Sequence, residues 1–131
     1  LHESICNVLK WHENGISCDE CFAKIHELYD ENDSRDWTHT ISNAMIVCIA
    51  LLYGEGDYSK SICLAVQTGF DTDCNGATVG SVLGIRNGID KIDDKWKKPV
   101  AGKLDTAIFG MGRVNISDLV DKTLKHINTI S

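Results

Sequence analysis

The chain has 131 residues, room for one small domain with one core, and 43% of them are hydrophobic. Its net charge of −6 argues against a nucleic-acid partner, and a single proline, Pro99, argues against a turn-rich β fold. The longest apolar run, Ala44 to Tyr53, falls far short of the roughly 20 residues of a membrane span, so a buried helix is expected there and no membrane partner.

Hydrophobic periodicity predicts helices in chain order. Over 2–13, Ile5, Val8, Leu9 and His12 share one face, and Gly15 is a stop. Ser17 and Glu20 form a capping-box pattern ahead of a second helix over about 18–30, with Cys18, Cys21, Phe22, Ile25, Leu28 and Tyr29 on its stripe. A polar loop follows over 32–36. The third helix, about 40–53, is apolar on nearly all sides and should be central. Gly54 ends it, and "GEGD" makes a turn. Asp57 or Ser59 caps a fourth helix that stops at Gly69. A fifth begins near Cys74 or Asn75 and ends near Gly88. Residues 89–115 predict short helical turns or a short strand, because so long a structureless loop is unusual. Ile116, Leu119, Val120, Thr123, Leu124 and Ile127 mark an amphipathic last helix, capped near Asn115 or Ser117. No segment alternates with period two, so the fold class is all-α.

Six cysteines lie mostly within helical apolar patterns. Reduced thiols in a cytoplasmic protein are the expectation. Cys18 and Cys21 form a Cys-x-x-Cys pair, but zinc needs four ligands and no second pair exists, so they read as small hydrophobes.

The segment "TGFDTDCNGATVGSVLG", from Thr68 to Gly84, calls for more than packing. Asp71 and Asp73 stand one residue apart, with no basic residue between Lys60 and Arg86 to offset them. Asp73 is a candidate N-cap, which leaves Asp71 unexplained. A hard divalent cation with oxygen ligands would neutralise both, and the adjoining helix N-terminus would favour an anion such as phosphate. Gly76, Gly80 and Gly84 recur one turn apart, each forgoing about 1 kcal/mol relative to alanine. Gly80 and Gly84 are expected to pack against the third helix, and Gly76 to pack or to admit a ligand.

"GFDTDCNGATVG" resembles the C-terminal signature of the ADP-ribosylglycohydrolases, and "WTHTISNAMIVCIALLYGEGDYSKSI" is similar to the segment that precedes it. The resemblance covers most of 1–131. It implies an orthogonal multi-helix bundle that holds two Mg²⁺ ions and cleaves the bond joining ADP-ribose to a protein side chain or related acceptor. It implies that Asp71 and Asp73 are metal ligands. It also implies that Gly69, Phe70, Thr72, Asn75 and Gly76 lie against an ADP-ribose-bearing substrate, with a core place equally open to Phe70, and that His39 and Asn43 either face the same cleft or serve a structural role at the helix start. Cys74 stands where the family offers a hydroxyl oxygen to metal, and a thiol suits Mg²⁺ poorly. The family's other ligands lie in an N-terminal Ser/Thr-Asp-Asp-Thr motif that these residues lack. The expectation is therefore the C-terminal half of one domain, inactive and weak for Mg²⁺ without its N-terminal half. The alternatives are a non-catalytic ADP-ribose or nucleotide binder and a crystallin-like structural relative.

Overall fold

The computed structural model describes residues 1–130. They form seven α-helices, one short 3₁₀ turn and one two-stranded hairpin. The chain divides into two compact units, 1–91 and 92–131. None of the helices described is long and apolar enough to cross a membrane.

The first unit holds α1 (His2–Glu13), α2 (Cys18–Leu28), α3 (Thr40–Tyr53), α4 (Tyr58–Gln67) and α5 (Thr72–Asn87). The capping box is present: Ser17 Oγ accepts the Glu20 N–H, and Glu20 Oε2 accepts the Ser17 N–H at 3.0 Å. The Ser17 hydroxyl, which donates to Glu20 Oε2 at 2.7 Å, and then the Ser17 N–H hold the Glu20 carboxyl below its ordinary range. Asp57, rather than Ser59, caps α4 by accepting the Lys60 N–H. The helix ends at Gln67, two residues before Gly69.

The core centres on α3, as its all-round apolarity requires. Met45, Ile46 and Ile49 pack with Val8, Cys21, Phe22, Ile25 and Phe70, while Ala50 packs with Ala65, Val79 and Leu83. Val47, Cys48, Leu51 and Leu52 are half-buried against the same two clusters, so α3 exposes no large patch. Cys21 is buried, whereas Cys18 is half-covered and its thiol is raised to about 11 by desolvation, then by Asp19 and Cys21. Leu28, expected on the stripe of α2, is the last residue of that helix and is exposed. All six cysteines are free.

Two expectations are corrected in α5. The helix starts at Thr72, so Asp71 is the N-cap and Asp73 sits inside the first turn. There Asp73 offsets the positive helix terminus without capping it. Gly80 also faces a different partner: a Cβ on it would meet the Tyr58 hydroxyl at 3.2 Å and Ile62 Cδ1 at 3.4 Å, and one on Gly76 would meet Val66 Cγ2 at 3.0 Å. Gly76 and Gly80 thus bring α5 against α4, the short connection between the two making them the natural antiparallel neighbours.

The second unit holds α6 (Asp94–Val100), the antiparallel strands β1 (Lys103–Asp105) and β2 (Arg113–Asn115), and α7 (Ile116–Ile130). Asp105 opposes Arg113 in the ladder and accepts two guanidinium hydrogen bonds, at 2.7 and 2.8 Å. Short elements are what the sequence predicts over 89–115. Asn115 precedes α7 and donates to Asp118 Oδ2 at 3.0 Å. Val120, Leu124 and Ile127 on α7 are exposed.

Candidate functional site

The site begins where α4 hands over to α5. Two successive residues there are left-handed, Gly69 at φ +87° and Phe70 at φ +59°. This tight reversal buries the Phe70 ring in the core, tilted against His26 with centroids 5.0 Å apart. His26 Nε2 reaches the Thr68 carbonyl at 2.9 Å, bracing the same loop from α2.

Asn43, in the first turn of α3, fixes the far side. Its Oδ1 accepts the Asp71 N–H at 3.2 Å and the Asn75 side-chain amide at 2.7 Å. Its own amide donates to the Trp37 and His39 carbonyls, at 2.9 and 3.0 Å. Every polar atom of Asn43 is thereby used, and Asn75 is buried with its amide satisfied.

The result is a cluster of ligand atoms. Asp71, Asp73 and Cys74 each offer one, all within 4.8 Å of one another. Asp71 is half-buried, while Asp73 and Cys74 are exposed. The Asp71 carboxylate makes no capping hydrogen bond to its helix, and the Cys74 thiol stands beside it. The neighbouring Asp71 carboxylate first, then desolvation and the charge of Asp73, hold the thiol above its ordinary value. Beside the cluster opens a cleft of about 400 Å³ lined by Asn43, Val47, Asp71, Cys74, Asn75 and Thr78, among others.

The predicted residues therefore divide. Asn43, Asp71, Cys74 and Asn75 line one cleft. Phe70 is in the core, and Gly69 lines a second, larger hollow with His26, Glu31 and Gln67. Gly76 is buried against α4. His39 is the N-cap of α3, accepting the Ile41 N–H at 3.3 Å and stacking on Tyr29. Thr72 is half-buried in the first turn of α5. Nothing in the sequence ties His26 and Glu31 to this loop, because each link spans about 40 residues and leaves no local pattern.

The donor chemistry suits a hard cation through the two carboxylates. Mg²⁺ is commonly held by one or two carboxylates and keeps several waters. The soft thiol of Cys74 is the mismatch in this set.

The chain is an all-α domain that gathers two aspartates at a helix entry beside an open cleft. The ADP-ribosylglycohydrolase family model matches residues 2–129, and the chain belongs to that family. The family is one of glycosidases, which supports a hydrolase in general terms. No match was found among curated proteins or among solved structures.

Proposed function

We propose that the chain is the portion of a Mg²⁺-dependent ADP-ribosylglycohydrolase domain that carries Asp71 and Asp73 as metal ligands. The substrate is an ADP-ribose conjugate, cleaved at the glycosidic bond to its protein or related acceptor. The reading assigns the remaining ligands to a Ser/Thr-Asp-Asp-Thr segment of a longer, cytoplasmic protein. The single observation that carries it is the proximity of Asp71 and Asp73 at the N-terminus of α5, in a chain of this family.

Bound there, Mg²⁺ would supply Lewis acidity toward ribose hydroxyls and water. The chain's own residues do the rest. Asp71 and Asp73 concentrate negative charge beside the cleft, where an oxocarbenium-like transition state develops positive charge. Asn43 holds the Asp71 backbone in place and fixes the Asn75 amide. Thr38, Thr40 and Thr78 line the cleft and offer hydroxyls to a polyhydroxylated ligand. Val47 and Ala44 give the same cleft an apolar wall.

Cys74 favours one second reading, an ADP-ribose binder that has lost turnover, because it sets a soft thiol in the cluster where Mg²⁺ takes oxygen ligands. Release of ADP-ribose by the full-length protein, with Mg²⁺ and then with a chelator, decides between them. Mg²⁺-dependent release supports the hydrolase. Tight calorimetric binding of ADP-ribose without release supports the binder, and neither would reject both.

A further inference from the structure

The loop that delivers Asp71 is held in a conformation that its own sequence resists. Gly69 adopts a positive φ freely, but Phe70 at φ +59° is an outlier for a bulky side chain. Such a conformation persists only where its surroundings over-determine it. The buried ring and Asn43 supply two of the constraints.

The third is Glu31, from the loop that follows α2. Its Oε2 accepts the Phe70 N–H at 3.3 Å, across 39 residues of sequence. Glu31 is exposed, and among the described residues its carboxylate forms no ion pair. Gly69 is shaped around it: a Cβ there would lie 1.8 Å from Glu31 Oε2. The space that glycine leaves at position 69 is filled by this carboxylate. One acceptor thus holds the Phe70 amide, and Asn43 holds the amide of Asp71 next to it. The two grips come from opposite ends of the α2–α3 connection.

We infer that Glu31 is a positioning residue for Asp71. Its carboxylate fixes Phe70 in the left-handed conformation and so sets where the Asp71 carboxylate stands relative to Asp73. The inference rests on the reading of Asp71 as a cation ligand and adds a residue that touches neither cation nor substrate.

The test is Mn²⁺ affinity of the full-length protein by electron paramagnetic resonance, with amide exchange of Phe70 and Asp71 read alongside. Glu31→Ala is expected to weaken Mn²⁺ about tenfold, as loss of an orienting partner does, and to speed exchange at both amides. Glu31→Asp, one methylene shorter, is expected to weaken it likewise and serves if the alanine variant fails to fold. Glu31→Gln keeps the acceptor without the charge and is expected to restore nearly wild-type affinity. Unchanged affinity in Glu31→Ala or Glu31→Asp overturns the inference alone. So does a Gln variant as weak as the truncations, since charge rather than the hydrogen bond would then be the cause. A wild-type protein with no saturable Mn²⁺ binding overturns both this inference and the metal reading.

Discussion

Asn43 Oδ1 accepts the backbone N–H of Asp71 at 3.2 Å, joining the first turn of the central helix to the N-cap of α5 across 28 residues. The same oxygen takes the amide of buried Asn75. Asn43→Ala strands that amide, and an unsatisfied buried donor costs about 1–3 kcal/mol. Thermal denaturation should show that loss, and Mg²⁺ binding by the full-length protein should weaken with it. A variant with wild-type melting and affinity would remove Asn43 from the site.

Gly54 ends α3 with an ordinary right-handed conformation, so its constraint is space. A Cβ would lie 1.8 Å from Ser61 Oγ and 2.6 Å from the Ala50 carbonyl oxygen. Gly54→Ala is expected to destabilise by about 1–3 kcal/mol through overpacking. Among the described residues, Ser61 Oγ is buried with no hydrogen-bond partner. Ser61→Ala is therefore expected to be neutral or to stabilise by up to about 1 kcal/mol. Chemical denaturation of the two variants gives both signs.

Stability should fall in alkali. Burial pushes the Cys18 thiol up to about 11 and also raises Cys48 and the Tyr53 phenol. The unfolded chain releases these protons at lower pH than the folded one. The contribution is complete below the ordinary thiol range near 8.5 and is lost as pH climbs toward about 11. Melting temperature in reducing buffer should drop steadily between those limits. A flat profile would show that the thiols are not shielded as described.

Cys74→Thr replaces a soft donor with a hydroxyl oxygen beside Asp71 and Asp73. Mg²⁺ affinity of the full-length protein should rise, while exposure of the side chain keeps the change in stability within about 0.5 kcal/mol. Calorimetric titration checks it. Weaker Mg²⁺ binding in the threonine variant would mean that sulfur belongs in the site.

Local rules carried most of the helices. The capping box at Ser17, the all-apolar face of α3 and the cap at Asp57 each act within four residues, so the sequence displays them. The start of α5 did not follow from local rules. Asp73 is a good N-cap by type, yet the left-handed pair Gly69 and Phe70 turns the chain early and gives the position to Asp71. The glycine spacing showed a close contact but not its partner, since α3 and α4 both offer apolar faces and the short α4–α5 connection decides between them. For the site, Asp71 and Asp73 were legible as adjacent acids. The supports at Asn43, His26 and Glu31 arise from contacts across 28 to 42 residues, which no periodicity encodes.

The most direct measurement is ADP-ribose release at saturating Mg²⁺ by the full-length protein, wild type beside Asp71→Ala. The account predicts a fall of about 100-fold or more in kcat, beyond the 10–100-fold typical of an outer-shell partner, with helical circular dichroism unchanged. Wild-type turnover in the Asp71→Ala protein would contradict it.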